Sequence, residues 1–291
     1  MKRILLLTGI LLIVLAGCQT APSPTPLPPI STSIPIATPT PFVGSARVKL
    51  GDITMYFEVQ GAGEPLILLH PGMSSGQAWS NQIPFFSIFY RVITLDSRGQ
   101  GRTTDSDAPI SDHLMAEDVV RLMDYLGIDS AYIVGWSDGG CIGIDLAIHH
   151  PDRVKALVAF AASINSGAFQ EDILTFIKNA SVSELKNTMN VGDAYLSMMP
   201  DPDRLPIILE KMRTNMLTEP SFTMEELASI KTPTLIMAGQ RDEVIRPDHA
   251  KEIVAAISNS ELLLFPDMGH GGPGEKPTEF NHAVLDFLKG K

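Results

Sequence analysis

A serine between two glycines is the first feature of this chain that suggests chemistry. Residues 133 to 140 read Ile-Val-Gly-Trp-Ser-Asp-Gly-Gly, which places Ser137 in a G-x-S-x-G pattern. An apolar run at 131 to 134 precedes it, and a helical pattern at 141 to 149 follows. A strand, a sharp turn and a helix lift a serine hydroxyl clear of a sheet, and the glycines remove side chains that would clash. The pattern predicts a nucleophile, and a glycine-rich turn with an incidental serine is the plainer alternative.

A serine hydroxyl needs a base, and a third group that orients the base, to attack at neutral pH. Asp242 follows a predicted strand at 234 to 238, and His270 follows another at 262 to 265. We expect His270 to take the proton of Ser137 and later to donate it to the leaving group. Asp242 would fix the imidazole tautomer and stabilise its charged form.

Other residues compete for the roles of acid and base. Asp267 lies three residues before His270 on the same short loop and has little freedom to address its ring, whereas Glu243 directly follows Asp242. We expect His70 to organise its loop. The remaining histidines fall in predicted helices or at a helix start, away from strand ends: His113, His149, His150, His249 and His282.

An acyl-transfer serine also needs hydrogen-bond donors for the oxyanion. The backbone N–H of Asp138, at the start of the following helix, is one expected donor. The second should come from the loop after the strand at 66 to 69, where Pro71 has no N–H. Gly72 is the predicted donor, and Met73 is the next choice.

The side chain of Asp138 lies beside the predicted nucleophile in the sequence. As a hypothesis, its carboxylate favours substrates with a free amine, because opposite charges attract strongly in a partly dry site. The alternative is that this side chain only helps to order the turn.

Strands alternate with helices through the chain, which indicates a mostly parallel sheet covered on both faces. In such sheets, sites form at the carboxyl ends of the strands. The predicted strands are a hairpin at 48 to 59, then 66 to 69, 92 to 95, 132 to 134, 154 to 160, 234 to 238 and 262 to 265. The predicted helices of this alternating part are 113 to 126, 141 to 150, 247 to 257 and 277 to 288, with Pro247 and Pro277 in first turns.

Residues 164 to about 230 break this alternation with helical patterns alone, which predicts a small helical lid. Their methionines either line an adaptable apolar pocket or pack the lid itself: Met198, Met199, Met212, Met216 and Met224.

The first residues predict that the protein is located outside the cytoplasm. Residues 1 to 17 combine a basic start, an apolar run and Leu-Ala-Gly before Cys18, which resembles a bacterial lipoprotein signal. That resemblance implies that Cys18 is the lipidated N-terminus of a protein anchored to a bacterial membrane. The alternative is a transmembrane anchor that is not cleaved, although the apolar run is shorter than the ~20 residues that a membrane-spanning helix needs. The Pro-, Ser- and Thr-rich residues 18 to 44 predict an extended tether, and 45 to 291 one domain.

Composition and charge limit the classes of molecule that the protein is expected to bind. The formal net charge is −11 and no basic stripe occurs, so nucleic acid is not an expected partner. Only Cys18 and Cys141 are present, and we expect no disulfide between them. No Cys and His cluster has metal-ligand spacing along the chain, so neither a metal nor a cofactor is expected. Composition leaves the oligomeric state open.

Residues 45 to 291 resemble the α/β-hydrolase superfamily, in which the triad follows the chain order serine, acid, histidine. The resemblance implies an eight-stranded, mostly parallel sheet with flanking helices and a lid. Gly-Trp-Ser-Asp-Gly-Gly is similar to the elbow of valacyclovir-hydrolase-like and related small esterases. The matching segments are His70-Pro71-Gly72, residues 96 to 101, the elbow at Ser137, residues 239 to 242 and Gly269-His270. Pro71 and Gln100 depart from the residues usual in these relatives, which are Gly and His.

The function that these observations predict is hydrolysis of a small ester by Ser137 through an acyl-enzyme. A serine at this position argues against relatives that attack with an aspartate. A thioesterase, lactonase, C–C bond hydrolase or aminopeptidase would present the same triad. Two further candidate functions are those of a non-catalytic binding lipoprotein on a hydrolase scaffold and of a cofactor-free perhydrolase.

Overall fold

A single sheet of eight strands organises the protein. The computed structural model describes residues 42–189 and 191–291. The strands are β1 (Gly44–Leu50), β2 (Ile53–Gln60), β3 (Pro65–Leu69), β4 (Arg91–Leu95), β5 (Ala131–Trp136), β6 (Val154–Phe160), β7 (Thr234–Gly239) and β8 (Ser260–Phe265). Their order in the sheet is β1-β2-β4-β3-β5-β6-β7-β8. The pairs β1–β2 and β2–β4 are antiparallel, and all other neighbours are parallel.

Helices cover both faces of this sheet. They are α1 (Ile83–Phe86), α2 (Asp112–Leu126), α3 (Asp138–His149), α4 (Glu171–Asn179), α5 (Val182–Thr188), α6 (Asp193–Met198), α7 (Leu205–Thr218), α8 (Met224–Ser229), α9 (His249–Ala256), α10 (Gly272–Glu275) and α11 (Pro277–Lys289). The sequence did not predict α1, α6 and α10, because helices of four to six residues leave almost no periodic signal. The predicted placement of Pro247 in a first turn was wrong: α9 begins at His249, after its N-cap Asp248.

Alternate residues of β3 show how the two faces are filled. Ile67 and Leu69 enter one apolar cluster, which also includes residues of α2, α3 and the helices between β6 and β7. Leu66 and Leu68 enter a second cluster with Trp79 and α11. Successive side chains of a strand point to opposite faces, so a central strand with helices on both faces is apolar throughout.

Five α-helices, α4 to α8, lie in the chain between β6 and β7. Leu185, Leu209 and Leu227 from these helices are fully buried in the same cluster as α2 and α3. Met212 is buried there as well, whereas Met224 is 62% exposed. The methionines of this region therefore differ in role: Met212 packs in the core and Met224 faces solvent.

The loop after β4 is held in place by buried charged side chains. Arg98 is 1% exposed and makes a bidentate pair with Asp118 of α2, at 2.7 and 2.9 Å. It also donates to Asp52 at 3.2 Å. Asp96 accepts the backbone N–H of Gly76 at 2.8 Å. Buried ions persist where they are paired and hydrogen-bonded, and these contacts tie β4, α2 and the β1–β2 turn together.

The predicted signal, Cys18 and almost all of the predicted tether lie outside the described residues. Within the part of the chain that the structure describes, no helix has the length and apolar character needed to cross a membrane.

Candidate active site

Ser137 occupies the turn between β5 and α3 with φ 54° and ψ −120°. This left-handed φ is strained for any residue with a side chain. The two flanking positions must be glycine because the backbone of another residue passes close to each of them. A Cβ on Gly135 would lie 2.1 Å from the carbonyl oxygen of Gly139, and one on Gly139 would lie 2.1 Å from that of Leu69. The G-x-S-x-G spacing thus lets α3 start directly against β3 and β5.

Three side chains from three strand ends meet at this turn. Nε2 of His270, in the loop after β8, is 3.0 Å from Oγ of Ser137. Nδ1 of the same ring is 3.0 and 3.1 Å from the two carboxylate oxygens of Asp242, in the loop after β7. The side chain of Asp242 is 1% exposed and that of His270 is 16% exposed. The arrangement provides a proton acceptor for the serine and a buried carboxylate for the imidazole.

Backbone groups hold this carboxylate and this imidazole in place. Oδ1 of Asp242 accepts the N–H groups of Val244 and Ile245, both at 2.8 Å. The indole Nε1 of Trp136 donates to the carbonyl oxygen of His270 at 2.8 Å. Trp136 immediately precedes the nucleophile, yet nothing in the sequence indicated this contact, because its acceptor lies 134 positions away.

The rival acids make other contacts. Oε2 of Glu243 accepts the backbone N–H of His270 at 3.2 Å, so it supports the loop from the backbone side. Asp267 is half exposed and pairs with Arg241 at 2.6 Å. Neither carboxylate forms a hydrogen bond to the imidazole of His270 among the described residues.

The loop after β3 approaches the start of α3. Nε2 of His70 accepts the N–H of Ser97 at 2.9 Å, and Nδ1 donates to the carbonyl oxygen of Pro71 at 2.8 Å. Burial lowers the pKa of His70, which keeps the ring neutral for these two bonds. Gly72 lies next to Asp138, the first residue of α3, whose N–H has no acceptor within its own helix.

The carboxyl group of Asp138 lies against this loop. A Cβ on Gly72 would be only 2.3 Å from Oδ2 of Asp138 and 3.3 Å from Cε of Met212 in α7. Oδ2 is buried and has no hydrogen-bond partner within the described residues. Burial raises the pKa of Asp138 to about 6. The group is therefore largely ionised at pH 7 and neutral at pH 5.

A second carboxyl group, which is buried, lies close enough for the charge of Asp138 to affect it. Asp112, at the start of α2, is 2% exposed and accepts from Nδ2 of Asn215 at 3.2 Å. Its Oδ2 has no partner in the described part of the chain. Burial, then the charge of Asp138, raises the pKa of Asp112 well above its ordinary value. Burial and the same two carboxyl groups also raise the pKa of Cys141. The sequence carried no sign of this pair, because α2 and α3 meet only in the folded chain.

Both the sequence and the fold are similar to those of known hydrolases. Residues 64–195 match the family model described as the alpha/beta hydrolase fold. The 2-hydroxy-6-oxo-6-phenylhexa-2,4-dienoate hydrolase of Burkholderia cepacia is 29% identical over 285 residues, covering 88% of this chain and 99% of that protein. The chain has the α/β-hydrolase fold. The eight-stranded, mostly parallel sheet with flanking helices that the motifs implied is thereby confirmed.

Two solved structures resemble this chain. A hydrolase from Pseudomonas aeruginosa PA01 is 26% identical with a TM-score of 0.68, covering 84% of this chain and 98% of that one. Est816, an N-acyl homoserine lactone degrading enzyme, is 25% identical with a TM-score of 0.68, covering 83% of this chain and 100% of that one. The substrates in the names of the Burkholderia cepacia relative and of Est816 differ, and one fold hosts many chemistries.

Proposed function

We propose that this α/β-hydrolase is a serine hydrolase that cleaves a small ester through an acyl-enzyme intermediate. The observation that carries the proposal is the continuous hydrogen-bond chain from Ser137 through His270 to Asp242. It joins a strained, partly exposed serine to a buried carboxylate through one imidazole. Such a chain activates a hydroxyl group that is otherwise a weak nucleophile.

The reaction follows from these positions. His270 takes the proton of Ser137 as Oγ attacks the carbonyl carbon, and Asp242 stabilises the imidazolium that forms. The N–H groups of Asp138 and Gly72 stabilise the negative charge on the carbonyl oxygen. His270 then gives the proton to the leaving alcohol, which departs and leaves the acyl group on Ser137. Water activated by His270 hydrolyses that acyl-enzyme and restores the serine.

The choice of an ester is supported by one structural relative. A lactone, the bond class in the name of the degrading enzyme Est816, is a cyclic ester. The Burkholderia cepacia relative bears the name of a dienoate hydrolase, so such ketoacids belong in the same assay panel.

Active-site labelling tests the proposal directly. A fluorophosphonate should label the wild-type protein and fail to label Ser137→Ala, and short p-nitrophenyl esters should be hydrolysed. Absence of labelling in a folded wild-type protein would favour a non-catalytic binding protein. Hydrolysis of dienoate ketoacids without ester hydrolysis would overturn the ester assignment. Peroxide-dependent halogenation in acetate would indicate a perhydrolase.

We further propose that the ester carries a cationic amine near the scissile bond. The supporting feature is Asp138, whose carboxylate has a buried, unpartnered oxygen beside the predicted oxyanion loop. An ammonium group would supply the missing hydrogen bond and offset the charge, and charge-assisted hydrogen bonds are the strong ones. The alternative role, ordering of the turn, would require hydrogen bonds to the carboxylate of Asp138, and the described residues donate none to its Oδ2.

Asp138→Asn should reduce the preference for amine-bearing esters by about 10-fold or more. The measured quantity is kcat/KM for an alanine ester divided by that for the matching propanoyl ester, which cancels changes in the triad. Between pH 5 and 7, where an α-amino group (pKa about 7.7–8.0) stays protonated, this ratio should rise as the carboxyl group of pKa about 6 ionises.

The ratio in Asp138→Asn should be independent of pH. Burial raises the pKa of Asp138, so its charged form destabilises the folded state. The contribution of Asp138 to the free energy of unfolding should therefore fall as pH rises from about 4 to about 6. The variant should therefore have a higher Tm at pH 7. A wild-type ratio that is flat with pH and unchanged by the substitution would refute the amine proposal and leave the ester proposal intact.

We also propose that the protein is anchored outside the cytoplasm by a lipid on Cys18. The support is the sequence Leu-Ala-Gly-Cys after an apolar run with a basic start. Cells fed an alkynyl palmitate should incorporate it into the wild-type protein, and Cys18→Ala should lose the label and leave the membrane fraction. Cys141→Ala is the matched control, since that thiol is buried. Equal labelling of wild type and Cys18→Ala would contradict the anchor.

A further inference from the structure

Two histidines and a carboxylate converge on one outer edge of the α2–α3 pair. Asp145 and His149 are four residues apart on α3 and share a face, and His113 lies in the first turn of α2. Nδ1 of His113 and Nδ1 of His149 each lie 3.1 Å from Oδ1 of Asp145. The two imidazole rings are 4.7 Å apart between centroids, at 61° to each other. One ligand atom from each of the three residues lies within 4.8 Å of the others.

These atoms are close to the positions that a metal ion requires. Zn²⁺ binds imidazole nitrogen and carboxylate oxygen at about 2.0–2.1 Å, so two ligand atoms of a tetrahedral site are ~3.3 Å apart. The two nitrogen-to-oxygen distances of 3.1 Å match that separation. Small rotations of the rings would direct both nitrogen lone pairs to a common point beside Oδ1.

The three side chains of the cluster differ in burial: the carboxylate is buried and the two imidazoles are accessible to solvent. The side chain of Asp145 is 3% exposed, whereas those of His113 and His149 are 55% and 38% exposed. A buried carboxylate is held in place by its surroundings, and exposed imidazoles leave a path for an ion and room for a water ligand. Three protein ligands with one open position form a common zinc arrangement.

We propose that His113, Asp145 and His149 bind one late first-row divalent metal ion, with Zn²⁺ as the ion to test. On binding, each neutral ring moves its proton from Nδ1 to Nε2, so no oxidant or further reactant is needed. The ion would connect α2 to α3. It would not take part in the triad chemistry, because Asp145 and His149 lie about 12 and 18 Å along α3 from Ser137 at a rise of about 1.5 Å per residue.

Further charged groups surround the cluster and bear on its pH dependence. Glu117, one turn along α2 from His113, pairs with Nε2 of His150 at 2.6 Å. The bond from His150, and more weakly the charge of His113, lowers the pKa of Glu117. Glu226, at the start of α8, has its pKa lowered chiefly by its cap contacts with Thr223 and slightly by the charge of His149. Both carboxylates are ionised at neutral pH and add negative charge that favours a cation.

Zinc titration of the untagged, full-length protein tests the site. After treatment with chelator, the wild type should bind one equivalent of Zn²⁺ against a chromophoric competitor. Saturation at 100-fold above Kd should raise Tm by about 5–10 °C. Binding should weaken at least about 10-fold from pH 7.5 to 5.5, because protons compete with the metal ion for its ligand atoms. With Co²⁺, visible absorption should report nitrogen and oxygen ligands in a tetrahedral field.

Matched variants distinguish this site from other zinc ligands. His113→Ala and His149→Ala should each weaken binding by about 100-fold or more. Both side chains are substantially exposed, so the folded protein and its Tm without metal should be little changed. His282→Ala removes another exposed histidine, on α11, and should bind as the wild type does. Equal affinity of the wild type and the two site variants, or no binding at pH 7.5, would overturn the proposal.

Discussion

Replacing Ser137 by alanine should lower kcat for ester hydrolysis by about 10⁴- to 10⁶-fold. The hydroxyl is the atom 3.0 Å from Nε2 of His270, and no other hydroxyl of the described residues forms a hydrogen bond to that nitrogen. Loss of the nucleophile leaves only the contribution of the oxyanion donors and of substrate binding. The measurement is steady-state kinetics on a p-nitrophenyl ester, with active-site titration to exclude traces of wild type.

Ser197→Ala serves as the control, because this serine is exposed on α6. It should keep wild-type activity. Alanine at position 137 retains the same left-handed backbone strain, so folding should change little, and Tm verifies this. Activity of Ser137→Ala within 10-fold of wild type would show that another residue makes the attack.

Asp242→Asn should lower kcat by about 10⁴-fold with little change in KM. The amide has the same shape, and its oxygen can still accept the N–H groups of Val244 and Ile245 that Oδ1 accepts at 2.8 Å. It carries no charge to stabilise the imidazolium of His270. Its NH₂ group would also favour the tautomer with the proton on Nε2, which cannot accept a proton from the serine.

The rival carboxylates supply the controls for this substitution. Asp267→Asn removes a surface ion pair with Arg241 and should leave kcat within about 2-fold of wild type, since exposed pairs contribute little. Glu243→Gln keeps an oxygen that can accept the N–H of His270 and should have a modest effect. A larger loss in Asp267→Asn than in Asp242→Asn would reverse the assignment of the acid.

Two carboxyl groups, those of Asp112 and Asp138, are expected to lower the stability of the folded state. Asp112 and Asp138 each have an oxygen without a partner in the described part of the chain, and burial raises the pKa of both. Unpaired buried polar groups cost free energy. The position of Asp138 next to the predicted oxyanion loop is what one expects where function requires a local cost in stability. A cationic substrate group would relieve that cost on binding.

Local features were accessible from the sequence alone. The elbow depends on five consecutive residues, because backbone contacts at Gly135 and Gly139 exclude any Cβ. The strands and the longer helices follow from apolar periodicity, which a chain carries wherever one face is buried. The positions of Asp242 and His270 after β7 and β8 also followed, since parallel strands deliver their carboxyl ends to one edge of the sheet.

Contacts between distant segments were decided only by the tertiary structure. The sequence predicted Asp242 and left Glu243 as a competitor, and only the fold shows that Asp242 lies 3.0 Å from the imidazole while Glu243 accepts the backbone N–H of His270. The packing of α2 on α3 brings His113 to Asp145, 32 positions away. The same packing brings Asp112 near Asp138. Periodicity records which face of a helix is buried, but the partner across that face depends on crossing angles and registers set by the whole core.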